Sequence, residues 1–177
     1  MPTDREGLPE FADEFDRLFG RAYAVARRLA GDPSVAEDIA AEALIRTYVH
    51  WNRVRAFEHR DAWVARVATN LAIKASRPRS TAREPVTADP SEATVLRLAL
   101  VDALARLPRR QRESVALRYL ADLSIDDVAR TLGVSAGTVK QSVHRALRTL
   151  HAQLGADLEP IIEPMVEPMV EPMVEEA

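Results

Sequence analysis

The residue types best suited to chemistry lie together near the C-terminus, on a predicted helix over residues 136–154. At about 100° per residue, polar side chains fall opposite an apolar stripe of Val139, Val143, Ala146 and Leu150. Arg can pair bidentately with guanine and Gln with adenine, and Lys holds phosphate. This inventory suits base readout in a DNA major groove, although an ordinary exposed polar face is the alternative. The candidates are Thr138, Lys140, Gln141, Ser142, His144, Arg145 and Arg148.

The residues before this helix predict how it is positioned. Ser124 and Asp127 have the spacing of a capping box and open a helix over 124–132. Ala129 is small enough for a second helix to cross closely, Gly133 suits the turn, and Ser135 suits the cap of the following helix. The segment is therefore interpreted as a helix-turn-helix, which favours DNA binding over a merely solvated helix face.

A second set of candidates combines aromatic and basic side chains in and after a basic loop over residues 52–60. The following helix is predicted over 61–76. Bases stack on aromatic rings for about 1 to 3 kcal/mol each while Arg and Lys hold phosphates, a combination that suits single-stranded DNA. For Trp63, a place in the core is the alternative. The candidates are Arg53, Arg55, Phe57, His59, Arg60, Trp63, Arg66, Asn70 and Lys74.

Composition excludes several other kinds of site. The 177 residues contain no cysteine, which removes disulfides, thiolate zinc sites and cysteine nucleophiles. The four histidines show no ligand spacing with a nearby third ligand, and no phosphate-binding glycine loop appears. We therefore expect a protein that is not an enzyme and has no cofactor or metal. No apolar run approaches the roughly 20 residues that span a bilayer, so we expect no membrane insertion and a cytoplasmic location.

Charge is segregated along the chain. Residues 21–80 carry 11 basic and six acidic side chains, and residues 106–150 carry nine basic and four acidic ones. Acidic segments alternate with these blocks, so the net charge is only -3. Because nearly all the positive charge is arginine, the two blocks indicate a polyanionic partner.

Abundant Ala, Leu, Arg and Glu predict an all-α protein of two small helical domains. Helices are predicted over 10–30, 33–51 and 61–76 in the first domain, and over 92–106, 109–121, 124–132 and 136–154 in the second. The boundaries place the first domain at 1–77, a flexible linker rich in Pro, Ser and Thr at 78–90, and the second domain at 91–154. A tail at 155–177 repeats Glu-Pro-Met-Val and is predicted to be acidic and disordered.

Two sets of motifs resemble the sigma-70 family of bacterial RNA polymerase sigma factors. ALARLPRRQRESVALRYL at 103–120, followed by LSIDDVA and GTVK, is similar to sigma region 4. FDRLF, GDPSVAEDI, EALIR and AWVARVATNLA, all between 15 and 72, are similar to sigma region 2. Their order and short spacing resemble the extracytoplasmic-function (ECF) class, over about residues 11–154.

The resemblance implies a function for each domain. The second domain would read duplex DNA at the minus-35 promoter element, and the first would capture and melt the minus-10 element. It also implies binding to the β′ and β subunits of core RNA polymerase, with Asp38, Glu42 and Arg46 as contacts on one helix face, and a possible anti-sigma partner. For these three residues, intrahelical pairing such as Glu42 with Arg46 is the alternative.

Two other functions remain open from the sequence. One is a free-standing helix-turn-helix regulator that never enters polymerase, and the other is an interaction protein whose DNA surfaces are vestigial. The chain also departs from the family pattern, which usually has Ser after the lysine where this chain has Gln141. Because Gln141 lies on the outward face, the departure predicts an altered promoter preference.

Overall fold

The computed structural model describes residues 7–76 and 91–155, and these are helical without strands. The helices are α1 (Gly7–Ala30), α2 (Pro33–Val49), α3 (Trp51–Val54), α4 (Arg60–Ser76), α5 (Glu92–Arg106), α6 (Arg109–Val115), α7 (Ile125–Leu132) and α8 (Ala136–Leu154), with a π-helical segment at Ala116–Leu120 directly after α6. The predicted all-α class is confirmed. The predicted linker at 78–90 and the tail, apart from Gly155, lie outside the described residues.

The first domain is built on α1, whose buried stripe packs against α2 and α4. Gly31 ends α1 in the left-handed region at φ +77, and the Asp32 side chain then accepts a hydrogen bond from the Val35 amide at 3.1 Å, which starts α2. The Gly31 turn and the Asp32 cap therefore separate α1 from α2.

Trp51 accounts for two differences from the predicted boundaries in this domain. The predicted helix over 33–51 ends at Val49, and Trp51 opens the short α3 with its ring buried against Phe11. Helix α1 begins at Gly7 rather than residue 10, and a Cβ on Gly7 would lie 2.9 Å from the Trp51 ring. The extra turn of α1 therefore covers the Trp51 indole, which the periodicity placed at the end of the predicted helix over 33–51.

Serine caps begin three helices of the second domain. The hydroxyls of Ser91, Ser124 and Ser135 each accept a hydrogen bond from the amide three residues later, and α5 and α8 keep their predicted bounds. The predicted helix over 109–121 differs, because the Ala121 amide bonds to the Ala116 carbonyl five residues back. The wide turn lets the chain leave the helix at Ala121, which is buried.

The two domains pack on each other through α4, which contacts α5, the π-helical segment and α7. Their buried apolar side chains join into one core cluster. None of the helices in the described part of the chain is long and apolar enough to cross a membrane.

Candidate nucleic-acid interface

The polar face of α8 lies on the surface. Val139, Val143, Ala146 and Leu150 are buried, as the apolar stripe predicts. Ser142 is half-buried, and the other six candidates on this helix are exposed: Thr138, Lys140, Gln141, His144, Arg145 and Arg148. The structure therefore brings all seven predicted residues to one helix, six of them open to a partner.

Helix α7 holds α8 in place through the predicted turn. Gly133 has φ +65, and the buried Val128, Ala129 and Leu132 face the domain core. The Ser124 hydroxyl accepts from the Asp127 amide at 3.1 Å, which caps α7, and it donates to the Asp127 carboxylate at 2.7 Å.

Asp127 is stabilised as a carboxylate. The Ser124 hydrogen bond lowers the pKa of Asp127, slight burial opposes this effect, and Arg130 and the His59 charge lower it further. Asp127 is thus an anion that faces the first domain, where His59 Nε2 lies 3.2 Å from its carboxylate.

Two aromatic candidates of the first domain line a cavity of about 230 Å³ between the domains. The ring centroids of Phe57 and Trp63 are 5.7 Å apart, and Trp63 packs on the edge of the core. The Trp63 indole N–H is buried without a hydrogen-bond partner. Trp63 therefore packs against the core and also lines the cavity, and its stacking on bases stays a prediction. The other lining residues are Ala56, Glu58, His59, Arg130 and Thr131.

The arginines of the basic loop already have partners within the protein. Arg53 lies over the Phe57 ring at 5.8 Å, and Arg55 pairs with Glu10 at 3.3 Å. Arg60 pairs with Glu14 at 3.0 Å and also donates to the Arg55 carbonyl. The partnered Arg55 and Arg60 brace the loop against α1.

The predicted stripe on α4 divides between two surfaces. Arg66 donates to the buried carboxylate of Glu113 in the second domain at 3.0 Å, and the Asn70 amide donates to the Arg66 carbonyl at 3.0 Å. Lys74 is exposed and lies in a groove between α2 and α4 instead of at the cavity. The structure thus separates Lys74 from the aromatic residues with which the periodicity grouped it.

The groove between α2 and α4 brings Asp38, Glu42 and Arg46 together on one face. Glu42 and Arg46 form an ion pair at 2.7 Å, so the intrahelical pairing does occur. Helix α2 also exposes apolar side chains that its periodicity did not predict. The sequence feature that indicates these side chains is that α2 contains more apolar residues than a single buried stripe can hold. The exposed apolar side chains on α2 are Val35, Ile45, Tyr48 and Val49, with exposures of 39% to 71%.

The described residues contain no cluster of three or more His, Cys, Asp or Glu side chains that could hold a metal ion. The geometry instead offers an exposed helix face, an aromatic cavity and a mixed apolar and charged groove.

Comparisons with known proteins match both domains of the chain. The family model described as "Sigma-70 region 2" matches residues 15–81, and "Sigma-70, region 4" matches residues 97–150. The RNA polymerase sigma-E factor of Streptomyces coelicolor is 37% identical over 138 residues, which cover 74% of this chain and 78% of that protein. The ECF RNA polymerase sigma factor SigW of Bacillus subtilis is 30% identical over 165 residues, covering 81% and 88%.

A solved structure shows the same fold. The sigma factor RpoE of Bartonella quintana, crystallised with the anti-sigma factor NepR, superposes with a TM-score of 0.53 at 22% identity, over 84% of this chain and 98% of that one. Two family models in the expected order and relatives of similar length give one conclusion: the chain belongs to the sigma-70 family of RNA polymerase sigma factors, in its ECF class.

Proposed function

We propose that the protein binds core RNA polymerase and directs initiation at specific promoters. In this proposal residues 91–154 read the minus-35 element as duplex, residues 1–77 bind core enzyme and melt the minus-10 element, and residues 78–90 link them. The observation that carries the proposal is the exposed polar face of α8, held on a capped helix-turn-helix in the same chain as a region 2 domain.

The electrostatics of α8 support duplex binding. The exposed face carries Lys140, Arg145 and Arg148 without any Asp or Glu on the helix. Its amino-terminal turn, capped by Ser135, offers amide groups that suit a phosphate. Side chains further along the helix can then reach base edges in the major groove.

The groove between α2 and α4 supports core binding. In the groove, Asp38, Glu42 and Arg46 lie with apolar side chains such as Val35 and Leu71, and protein interfaces likewise combine apolar burial with charge complementarity. The β′ and β subunits are the proposed partners. The protein would act in the cytoplasm, and the chemistry of RNA synthesis would remain with the polymerase, so the protein itself would not be an enzyme.

In vitro transcription with purified core enzyme tests the proposal. Promoters are first selected from a random duplex pool by core enzyme plus this protein, and transcripts are then measured with and without it. A sigma factor gives transcripts that need both components. A free-standing regulator would bind selected DNA without core enzyme, and an interaction protein would yield neither result.

A matched pair of variants tests the proposed core-binding groove. Asp38→Ala with Glu42→Ala should weaken binding to core enzyme about tenfold in a fluorescence titration, because both carboxylates lie in the groove. Glu37→Ala removes an exposed acid next to the groove and is the control. Equal affinities for both variants would place the polymerase contact elsewhere.

A further inference from the structure

A single arginine side chain ties together the two ends of the loop between α3 and α4. Arg60, the first residue of α4, donates to the Arg55 carbonyl through Nε at 3.2 Å and through one terminal nitrogen at 2.8 Å. Arg55 directly follows α3, so these hydrogen bonds span residues 56–59. Phe57 and His59, which are assigned to single-stranded DNA, therefore lie inside a loop whose two ends are held by Arg60.

The guanidinium of Arg60 is in turn held by α1. Its other terminal nitrogen donates to Glu14 Oε1 at 3.0 Å, and its central carbon lies 5.9 Å from the centroid of the buried Trp51 ring. All three nitrogens thus have an acceptor within the protein. Because a planar guanidinium matches such a fork of acceptors, Arg60 would have to give up these contacts in order to hold a phosphate.

Glu14 is fixed from its other side by a second arginine. Its Oε2 accepts from Arg17 Nε at 3.0 Å, and Arg17 also pairs with Asp61 at 2.6 Å. Burial raises the pKa of Asp61, but the hydrogen bond from Arg17 leads the effects that outweigh it, and the pKa lies below its ordinary value. Asp61 follows Arg60 in the first turn of α4, so the contacts form a ring of charged groups that leaves α4, crosses α1 and returns to α4.

A second acid, one turn earlier on the same face of α1, meets the other end of the loop. Glu10 pairs with Arg55 at 3.3 Å. The Glu10 side chain is 58% exposed and that of Glu14 is 25% exposed. Because solvent weakens an exposed ion pair, Glu14 is the stronger anchor of the two.

We propose that Glu14 is a positioning residue for the single-strand surface, and that it acts through Arg60 on the backbone of residues 55–59 to hold Phe57 beside Trp63. This inference rests on the proposed function of residues 53–74. Arg60 then orders the loop and does not itself hold a phosphate. The fraction of molecules with an ordered loop sets the apparent affinity for unpaired bases.

The test measures binding of the full chain to a fluorescein-labelled single strand of 20 random nucleotides at several salt concentrations. Glu14→Gln should bind about fivefold more weakly than the parent, because Arg60 loses its charged acceptor and the loop is ordered in fewer molecules. General electrostatics predicts the opposite sign, since an acid near a polyanion has been removed. Asp16→Asn, which removes an exposed acid on the same helix, is the matched control and should bind as the parent does.

Variants of Arg60 distinguish positioning of the loop from contact with a phosphate. Arg60→Lys keeps the charge but loses the fork, so it should weaken binding about as much as Glu14→Gln does. Arg60→Gln should leave the slope of log affinity against log salt unchanged, whereas loss of a phosphate contact would reduce its magnitude by about 0.7. Glu14→Gln combined with Arg60→Gln should bind no more weakly than Arg60→Gln alone, because both changes act on the same loop.

Parent affinity in Glu14→Gln, or additive losses in the double variant, would overturn the inference. Phe57→Ala distinguishes this failure from failure of the proposed function. Weaker binding by Phe57→Ala beside parent affinity in Glu14→Gln rejects the positioning role alone, whereas parent affinity in Phe57→Ala means that the single-strand surface itself is wrongly placed. A melting curve by circular dichroism identifies any variant that has unfolded, and Arg60→Lys keeps the test decisive if Glu14→Gln has done so.

Discussion

At the residue scale, the exposed face of α8 predicts which positions read bases and which hold the DNA backbone. Gln141→Ala or Arg145→Ala should relax base preference at one position of the upstream element. The expected loss at the preferred base is about 1 to 3 kcal/mol, since a bidentate contact is removed. Lys140→Ala should weaken binding to all sequences alike. Competition with duplexes that carry single base substitutions measures both effects.

The control for this prediction lies on the same helix. Gln153→Ala makes the same chemical change near the end of α8, where the side chain is exposed and lies outside the candidate set. It should leave both affinity and preference unchanged. Retention of the parent preference by both the Gln141 and Arg145 variants would mean that α8 presents a different face to DNA.

The aromatic pair at the cavity gives a second prediction at this scale. Phe57→Ala combined with Trp63→Ala should reduce open-complex formation because the stacking surface for unpaired bases is removed, at about 1 to 3 kcal/mol per base. Duplex binding by α8 should stay nearly intact. Permanganate footprinting of promoter thymines, at matched occupancy, measures the melting.

Phe15→Ala is the control for lost aromatic area, since Phe15 is 42% exposed on α1 and stacks on Phe19 away from the cavity. It should melt the promoter as the parent does. Equal thymine reactivity in the parent and the Phe57 and Trp63 double variant would leave Trp63 with a purely structural role.

At the element scale, local signals predicted most of the fold. Helices α5 and α8 keep their predicted bounds because local residues set their ends. Ser91 and Ser135 cap their first turns, Gly133 ends the preceding helix α7, and Gly155 follows the last residue of α8. The π-helical segment was not predictable, because one additional residue in a helical turn leaves the apolar pattern almost unchanged. Trp51 was placed at the end of α2, whereas burial against Phe11 draws it into a separate turn.

The positions of candidate residues were predictable from the sequence where they lie on a single helix. They were less predictable where residues of the two domains meet. The residues of α8 needed only helical periodicity. Arg66 and Glu113 are 47 positions apart, and no local pattern indicates that the arginine is held by a carboxylate of the other domain. Lys74 followed the α4 periodicity, but the position of α2 decided which surface it joined.

Replacing each of two glycines of the helix-turn-helix by alanine should change the free energy of unfolding in opposite directions. Gly133→Ala should lower the free energy of unfolding by about 1 kcal/mol, because an L side chain at φ +65 is strained even though the space around it is open. Gly137→Ala should raise it by about 0.5 kcal/mol, since Gly137 lies within α8 and an added Cβ would meet only the Ser135 hydroxyl at 3.9 Å. Urea unfolding followed by circular dichroism measures both. A change of the same sign in both variants would contradict the left-handed turn at Gly133.

At the scale of the whole molecule, the contact between the domains combines a shared apolar core with charged side chains. Arginine caps on helix ends and a buried carboxylate between two arginines join the two halves of the core. Such contacts are directional, because the planar guanidinium donates in a fixed fork geometry.

The buried carboxylate also predicts how stability depends on pH. Burial alone raises the pKa of Glu113, but the hydrogen bond from Arg109 and the charge and hydrogen bond of Arg66 outweigh it and hold the pKa below its ordinary value. A carboxyl whose pKa is lower in the folded than in the unfolded state stabilises the fold fully above the unfolded value, about 4.3. That contribution is lost as pH falls through the folded pKa.

The expected result is a free energy of unfolding that declines below about pH 4 in the parent and declines less steeply in Glu113→Gln, which has no proton to bind at this site. At pH 7 the variant should be less stable by about 2 kcal/mol, because two arginines lose a charged acceptor. Asp102→Asn, which breaks the exposed pair with Arg106, is the control and should keep the slope of the parent. Urea unfolding at a series of pH values gives the slopes. If the free energies of unfolding of the parent and of Glu113→Gln fall in parallel down to pH 3, then protonation of Glu113 does not affect the packing of the two domains.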